Sequence, residues 1–319
     1  MNINLCTYFD KNYLSKFLTC RDSIIENEKN VIFYCLCLDD FSYNYLKQIQ
    51  KKDIHLISLK DIEEKFLSLK YAKKNRQIVE YYFTLSPFLP LYILEEFNVD
   101  IINYIDSDLF FFDTPRNIID LLEDNSIIIV EHGIKTQRFG KFNVGWLTFK
   151  NDEMSKSCLK EWGRNCIDWC YDYVEGNKYA DQKYLDEWPK KYNKIKVLSP
   201  SYNVAPWNLN NENVEVKQNK ILINNNRLIF FHFHGLLISK KMFSSGFSIY
   251  NKKISKTLIK HLYKPYIKRL ENVKKEVNVI ETRIRNTIDN KNFKDSVFKV
   301  FKLLIKVLKI ISFLDFYRK

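Results

Sequence analysis

The sequence predicts an α/β protein built on a mostly parallel sheet that is flanked by helices. Through the first half of the 319-residue chain, short apolar runs typical of buried strands alternate with amphipathic segments typical of helices. This alternation is the pattern of repeated βαβ units, which favours a parallel sheet. With 46% apolar and 15% aromatic residues, the chain can bury a large core, and we expect one main domain plus an appendage.

The predicted elements follow one another in a regular order. Strands are predicted at residues 4–8, 31–38 and 55–58, with helices at residues 13–26 and 41–50 between them. A helix over residues 79–97 comes next, and Ser86 and Pro87 predict a break or a second start within it, because proline disrupts a helix interior. Further strands are predicted at residues 101–105, 127–131, 142–149 and 228–234, and a long helix at residues 153–173.

Two aspartates directly follow the predicted strand at residues 101–105. Asp106 and Asp108 interrupt an apolar run that continues to residue 112. An unpaired carboxylate is costly in an apolar interior, and period-2 geometry sends both side chains to one face, where both can bind one divalent cation such as Mg²⁺ or Mn²⁺. The alternative is an acidic turn in which each aspartate caps a backbone amide, which the flanking apolar runs disfavour. Ligands of open α/β sheets bind beyond the carboxyl ends of strands, where this pair lies.

Two histidines share one face of the predicted strand at residues 228–234. His232 and His234 stand two residues apart, directly before Gly235. A single strand histidine is more often an ordinary core or surface residue, but a pair in a chain that also has paired carboxylates favours a third metal ligand. Gly235 would let the backbone approach a phosphate closely.

Polar residues in three further segments are candidate site residues, and in each segment an ordinary structural role is the alternative explanation. Asn143 lies in a strand-like segment just before Gly145, where it would otherwise be a turn residue. Asp181 and Gln182 open a predicted helix over residues 181–189, where Asp181 would otherwise be the N-cap. Arg76 lies one helical turn before a glutamate, so a surface ion pair is its alternative.

The positive charge of the chain is confined to its C-terminal part. Residues 1–250 contain 32 basic and 32 acidic side chains, whereas residues 251–319 contain 19 and 6 and so carry the whole net charge of +13. We therefore divide the chain into a main domain, residues 1–250, and a basic helical extension, residues 251–319.

Lysines recur every three or four residues near the C-terminus, between apolar residues. This spacing predicts an amphipathic helix over about residues 293–317 with one narrow basic stripe, formed by Lys299, Lys302, Lys306 and Lys309. The interrupting lysines are unsuited to a membrane span and favour a helix in the headgroup plane of an anionic membrane. A helix packed on the main domain and a dimerisation coil are the alternatives, which leaves homo-oligomerisation open. The wide apolar face argues against nucleic acid as a partner.

The N-terminus and the cysteines predict a cytoplasmic protein. The first residues lack a basic segment followed by an apolar one, as a secretory signal would have. The cysteines are odd in number, show no zinc-binding spacing and lie mostly in apolar patterns, so we expect reduced, buried thiols: Cys6, Cys20, Cys35, Cys37, Cys158, Cys166 and Cys170. Together with the basic tail, this predicts peripheral association with the inner face of the membrane.

Four short motifs occur in one order along the chain: Asp106-Ser107-Asp108, Phe142-Asn143-Val144-Gly145, Asp181-Gln182 and His232-Phe233-His234-Gly235. Each motif alone is unspecific. In this order they resemble the DxD, FNxG, DQ and HxxG signatures of family 8 glycosyltransferases and related GT-A enzymes. Over about residues 1–240 the chain is also similar to bacterial nucleotide-sugar transferases of surface-polysaccharide synthesis.

The resemblance implies a GT-A fold and a metal-dependent transfer of a sugar. The donor would be a nucleotide-diphosphate sugar, with UDP as the expected carrier, and the acceptor a cell-surface glycan or a lipid-linked precursor. Asp106 and Asp108 would hold Mn²⁺ or Mg²⁺, with His232 preferred over His234 as third ligand because it stands three residues before Gly235.

The resemblance also implies a role for other residues. Asn143, Asp181 and Gln182 would line the donor-sugar pocket. Thr7 and Tyr8 would meet the nucleotide base. Family 8 enzymes usually carry Lys-Pro-Trp soon after HxxG, but here only Lys240 and Lys241 follow, so Arg76 is expected to help neutralise the diphosphate.

Two questions stay open at this stage. The family resemblance suggests a hexosyl transfer with retention through front-face attack, whereas Asp181 acting as a base would give inversion. A catalytically silent nucleotide-sugar-binding or scaffold protein at the membrane is the alternative to an enzyme.

Overall fold

The structure is a computed structural model that describes residues 2–134, 136–210, 214–218, 220–239, 241–288 and 317–318. The strands of this part of the chain are β1 (Ile3–Phe9), β2 (Val31–Cys37), β3 (Ile54–Ser58), β4 (Ile101–Ile105), β5 (Leu109–Phe111), β6 (Ile127–Glu131), β7 (Phe142–Lys150), β8 (Ile195–Leu198), β9 (Val214–Lys217), β10 (Lys220–Ile223), β11 (Asn226–Arg227), β12 (Phe230–His232), β13 (Leu237–Ile238), β14 (Met242–Ser244) and β15 (Tyr317–Arg318). The α-helices are α1 (Leu14–Asn27), α2 (Asp40–Ile49), α3 (Leu59–Lys65), α4 (Ser68–Asn75), α5 (Ile78–Leu85), α6 (Phe88–Glu96), α7 (Arg116–Ile119), α8 (Glu153–Asp168), α9 (Trp188–Lys191), α10 (Lys256–Leu258) and α11 (Lys264–Ile288).

The central feature is a seven-stranded, mostly parallel sheet with the order β3-β2-β1-β4-β7-β6-β8. Within it β7 runs antiparallel to both of its neighbours, β4 and β6, and the other pairings are parallel. The carboxyl ends of β1, β4 and β6 and the amino end of β7 therefore meet at one edge of the sheet. The α/β class and the helix-flanked parallel sheet predicted from the sequence are confirmed.

The strands of this sheet send alternate residues into two separate cores. On one face, residues such as Ile127 and Ile129 pack with α5, α6 and α8. On the other face, Ile128 and Val130 belong to the core that α1, α2 and the middle of α11 cover. Because both faces are buried, the strands read as continuous apolar runs, which is why the sequence predicts them well.

The C-terminal helices pack on the same body. A third core contains Phe231, Phe243, Tyr263 and Tyr266, and α11 extends from it to contact α1 through Val273 and Val277. The predicted amphipathic helix over residues 293–317 lies outside the described residues apart from Tyr317, which the structure places in β15, paired with β14.

Some predicted boundaries are wrong. The helix predicted at residues 153–173 ends at Asp168, because Trp169 adopts an extended backbone and is buried beyond the helix end. The strand predicted at residues 228–234 is reduced to the three residues of β12, which pairs with β5 in a separate two-stranded sheet. The break predicted at Ser86 and Pro87 is confirmed, since it separates α5 from α6.

All seven cysteines are free and buried, as predicted. None of the helices in the described ranges combines the length and the apolarity that a membrane crossing needs.

Candidate active site

The candidate residues meet at the edge of the sheet where β4 ends and β7 begins. Asp106 directly follows β4, and its backbone N–H donates to the carbonyl oxygen of Gly145 in β7 at 3.2 Å. Because β7 runs antiparallel, its first residues, including Asn143, lie at this same edge beside the end of β6. The chain thus brings the first two motifs together through strand order alone.

Asp106, Asp108 and His232 form one cluster, in which a ligand atom from each lies within 4.8 Å of the others. The pairing of β5 with β12 brings His232 opposite Leu109, next to Asp108. The His232 Nε2 atom lies 3.0 Å from Asp108 Oδ1 and 3.8 Å from Asp106 Oδ2. Asp106 is the more open of the two carboxylates, with 31% of its side chain exposed against 10% for Asp108.

The two carboxylates differ in their electrostatic surroundings. Burial would raise the pKa of Asp108, but His232 and the Lys16 ammonium attract its charge and hold that pKa well below the usual range. Burial raises the pKa of Asp106, and the neighbouring Asp108 charge adds to this rise against the attraction of His232. The carboxylate of Asp108 is therefore ionised, and it lies between the His232 imidazole and the Lys16 ammonium.

Lys16 is a residue of this site that the sequence analysis missed. Its Nζ atom lies 3.5 Å from Asp108 Oδ2 and 3.8 Å from the centroid of the Tyr13 ring. It comes from the first turn of α1, which follows β1 and therefore begins at the same edge of the sheet. A lysine in an ordinary amphipathic helix gives no signal in the sequence.

His234 lies beside the cluster, with its ring 6.0 Å from that of His232. Both imidazole rings make T-shaped contacts with Trp207, and the distance between ring centroids is 5.1 Å for His232 and 5.4 Å for His234. Burial and the neighbouring His232 lower the pKa of His234 to about 4, so it is neutral at physiological pH. Within the described residues, the compact three-ligand cluster contains His232 and not His234.

A network of amides lies on the other side of Gly145. Asn143 donates from Nδ2 to Gln182 Oε1 at 2.9 Å, and its Oδ1 accepts from the Gly145 N–H at 2.8 Å and from Asn203 Nδ2 at 2.6 Å. Gln182 donates in turn to the carbonyl oxygen of Phe139 at 2.7 Å. The network fixes the orientation of both predicted amides, and Asn203 is a further member that the sequence analysis missed.

Gly145 is the point where this network meets the metal-ligand cluster. A Cβ atom added there would lie 2.7 Å from Asn143 Oδ1, 3.1 Å from His232 Nδ1 and 3.2 Å from Asn203 Nδ2. No larger residue fits unless these side chains move. The glycine of the FNxG motif is therefore explained here by close packing against two site residues.

Asp181 faces the cluster from the segment that follows α8. Burial raises its pKa to about 7, and the nearby Asp106 charge adds to that rise, while a hydrogen bond with Ser86 opposes it. Its backbone carbonyl accepts from Trp162 Nε1 at 2.8 Å, which anchors the segment on α8. A buried carboxyl group that titrates near neutral pH beside a cation site is typical of functional sites.

Thr7 and Tyr8 lie at the end of β1, next to these residues. The Tyr8 hydroxyl is 3.1 Å from Ser86 Oγ, and the Tyr8 ring is 5.7 Å from that of Tyr104, whose hydroxyl donates to Asp106 Oδ1 at 3.1 Å. The Thr7 hydroxyl is buried and has no hydrogen-bond partner among the described residues. Tyr8 is therefore linked indirectly to both aspartates. Tyr104 lies between Tyr8 and Asp106, and Ser86 lies between Tyr8 and Asp181.

The remaining predicted residues lie elsewhere or have other contacts. Arg76 donates to the carbonyl oxygen of Ile167 at 2.9 Å and to the Tyr171 hydroxyl at 2.8 Å, so the structure places its guanidinium at the end of α8. Gly235 has a φ of +70°, and a Cβ there would lie 2.6 Å from Ile249, so its close approach is to another part of the chain. Lys240 lies outside the described residues.

The donor set of the cluster fits a divalent cation. Two carboxylates and one imidazole that can reach the same ion suit Mn²⁺ or Mg²⁺, because these ions prefer oxygen-rich sites.

Comparisons with known proteins agree with this architecture. No family model matches the chain. Two Bacillus subtilis (strain 168) proteins described as uncharacterized are similar: YfnD is 27% identical over 276 residues, 83% of this chain and 88% of YfnD, and YfnF is 27% identical over 248 residues, 73% of this chain and 81% of YfnF. Among solved structures, the apo form of the glycosyltransferase GlyE from Streptococcus pneumoniae TIGR4 has a TM-score of 0.52 and 15% identity, covering 89% of this chain and 64% of GlyE.

At this level of identity the structural likeness defines the class of fold. The chain has a GT-A type fold, which it shares with the glycosyltransferase GlyE and which the order of its four motifs suggests. The Asp106, Asp108 and His232 cluster lies at the carboxyl edge of its sheet, the position where open α/β sheets bind ligands.

Proposed function

We propose that this protein is a metal-dependent glycosyltransferase. It would transfer a hexosyl group from a nucleotide-diphosphate donor, expected to be a UDP-sugar, to a cell-surface glycan or a lipid-linked precursor. The single observation that carries the proposal is the convergence of Asp106, Asp108 and His232 at the carboxyl edge of a GT-A sheet. Residues 1–250 would carry the catalysis.

Asp106, Asp108 and His232 would hold Mn²⁺ or Mg²⁺, which when bound stabilises the negative charge that develops on the leaving diphosphate. Contacts within the chain already hold these ligand side chains in position. Tyr104 orients Asp106 through its hydroxyl, and the pairing of β5 with β12 fixes Asp108 beside His232. Such preorganisation lowers the cost of reorganisation during the reaction.

The amide network and Asp181 would bind the donor sugar. Asn143 and Gln182 hold each other, so they present fixed polar edges, and the Asp181 carboxyl can donate or accept a hydrogen bond with a sugar hydroxyl. Thr7 and Tyr8, at the end of β1, would meet the nucleotide base. The unpartnered, buried Thr7 hydroxyl supports a ligand contact there, because buried polar groups ordinarily have a partner.

The family resemblance favours retention of anomeric configuration. NMR analysis of the product anomer early in the reaction is the measurement that decides this point. Retention would support front-face attack assisted by the leaving phosphate, whereas inversion would instead assign Asp181 the role of general base.

The basic tail would hold the enzyme at the cytoplasmic face of an anionic membrane, where a lipid-linked acceptor resides. The support is the lysine spacing in the sequence, which predicts a basic stripe on an amphipathic helix, and each lysine would contribute about 1 kcal/mol of attraction near such a surface.

Release of UDP from a panel of UDP-sugars tests the proposal without knowledge of the acceptor, because water can replace it. The purified full-length protein is incubated with each UDP-sugar and Mn²⁺, with and without EDTA. We expect UDP release from at least one donor, abolished by EDTA and by Asp106→Asn. Asp124→Asn, which changes an exposed aspartate away from the site, is the matched control. Donor cleavage that survives EDTA, or an absence of both cleavage and nucleotide binding, would refute the proposal.

A further inference from the structure

Lys16 is the cation that the described structure places directly against a proposed metal ligand. Its side chain is only 19% exposed, and its Nζ atom lies 3.5 Å from Asp108 Oδ2. The ammonium also lies over the face of Tyr13, at 3.8 Å from the ring centroid. The Asp108 carboxylate and the face of the Tyr13 ring are both groups that attract a positive charge.

Asp108 shares its two oxygens between two nitrogen groups. Oδ1 is 3.0 Å from His232 Nε2, and Oδ2 is the oxygen near Lys16. A divalent cation bound by Asp108 and His232 would take over the charge that Lys16 now balances. Because two positive charges at one carboxylate repel each other, cation binding must weaken the ion pair of Lys16 with Asp108.

A charge count shows why the site would need the positive charge of Lys16 after a divalent cation has bound. Asp106 and Asp108 carry two negative charges, which one divalent cation neutralises, and His232 as a ligand is neutral. A nucleotide-diphosphate sugar then brings about two further negative charges, from its two phosphates, into a partly buried site. The site needs a further cation to hold them.

Arg76, which the sequence analysis expected to help neutralise the diphosphate, has other partners in the described structure. The guanidinium of Arg76 donates to the carbonyl oxygen of Ile167 and to the Tyr171 hydroxyl. Lys16, in contrast, has a long flexible stem and lies at the edge of the sheet where the diphosphate would bind. Such a stem lets the ammonium change its position without a change in the backbone.

We propose that Lys16 exchanges partners when the site is loaded. It balances Asp108 in the metal-free protein, and it binds the donor's diphosphate once a divalent cation occupies Asp106 and Asp108. The identity of this ligand as a nucleoside diphosphate rests on the function proposed above, whereas the competition between Lys16 and the cation rests on the geometry alone.

Calorimetric titration tests both halves of the exchange without an activity assay. The full-length protein is titrated with Mn²⁺ alone, and then with UDP and with UMP at saturating Mn²⁺. The variants are Lys16→Met, which keeps an unbranched stem over Tyr13 without the charge, and Lys16→Arg, which keeps the charge. Lys11→Met changes an exposed lysine in the turn just before α1 and is the matched control.

The exchange predicts opposite effects on the two ligands. Lys16→Met should bind Mn²⁺ alone several-fold more tightly, because a competing cation is gone, and should bind UDP at least tenfold more weakly, on the scale of about 1.5–3 kcal/mol for a lost charged hydrogen bond. UMP, which lacks the second phosphate, should lose about threefold or less, and Lys16→Arg should retain most of the UDP affinity.

Weaker binding of Mn²⁺ alone to Lys16→Met would overturn the exchange, because Lys16 would then position Asp108 for the metal. Unchanged UDP affinity, or equal losses for UDP and UMP, would overturn it as well. A wild-type protein that binds Mn²⁺ but no UDP would contradict the proposed UDP-sugar donor instead, and the Mn²⁺ titration would still decide the competition. Thermal melting of each variant shows whether it is folded.

Discussion

Asp181 should make the stability of the metal-free protein depend on pH, and Asp181→Asn should remove that dependence. In the folded protein burial raises the pKa of Asp181 to about 7, and the Asp106 charge adds to the rise. In the unfolded chain an aspartate titrates near about 3.9. The folded state therefore favours the protonated form, and its stabilisation is fully present below the unfolded pKa and is lost as the pH rises through about 7.

The size of the effect follows from the difference between the two pKa values. One pKa unit corresponds to about 1.4 kcal/mol, so the stability lost between about pH 5 and about pH 8 amounts to roughly 3 kcal/mol for this one group. Asparagine has nearly the shape of aspartate and does not titrate. The difference in unfolding free energy between the wild type and Asp181→Asn should therefore change by about that amount over this interval, in favour of the variant at high pH.

Urea denaturation in the presence of EDTA, followed by circular dichroism at several pH values, measures this difference. The variant Asp106→Asn provides a control on the cause: it removes the neighbouring charge but not the burial, so it should reduce the pH dependence without abolishing it. Parallel stability curves for the wild type and Asp181→Asn would refute the assignment of a raised pKa to Asp181.

Three further predictions follow from the site and the tail. Asp108→Asn should lower the rate of donor cleavage by more than tenfold, on the scale of about 2–4 kcal/mol for one lost electrostatic contact, and a near-wild-type rate with unchanged Mn²⁺ affinity would contradict the metal assignment. Gly145→Ala should cost about 1–3 kcal/mol of stability by overpacking and should impair catalysis, because its methyl group would displace Asn143 and His232. Gly176→Ala has open space around it but a backbone φ of +55°, so this control should lose some stability through backbone strain and leave the rate unchanged. Gln in place of the four lysines of the tail stripe should weaken cosedimentation with anionic vesicles by about 1 kcal/mol per lysine at low salt, and added salt should weaken binding of the native protein; insensitivity to both changes would exclude the membrane role. The four are Lys299, Lys302, Lys306 and Lys309.

Much of the fold could be predicted from the sequence because its main sheet is buried on both faces. The parallel strands are short apolar runs between amphipathic helices, so β1 to β4 stand out, as do α1 and α2 between the first three strands. The antiparallel pair β9 and β10 was not predicted, since it is a short, half-exposed hairpin that contains lysines at its turn. The helices α3 and α4 were missed too, because they span only seven and eight residues, which is about two helical turns each.

The site could be predicted only as far as its motifs extend along single strands. Period-2 geometry placed Asp106 with Asp108 and His232 with His234, but the choice of His232 by the three-ligand cluster depends on the register of β12 against β5, which is a tertiary pairing. Lys16 reaches Asp108 only because α1 packs beside β5. The spacing of Arg76 and Glu80 suggested an ion pair, yet Glu80 accepts from the backbone N–H of Gln77 in a capping box.

The position of a bound cation tests the central claim most directly. Crystals of the full-length protein grown with Mn²⁺ and UDP, and measured near the manganese absorption edge, locate the metal by its anomalous scattering. If these residues form the metal site, one strong anomalous peak should lie in contact with Asp106, Asp108 and His232, and the UDP diphosphate should bind the metal on its open side. A peak at other residues, or bound UDP with no metal at this cluster, would contradict it.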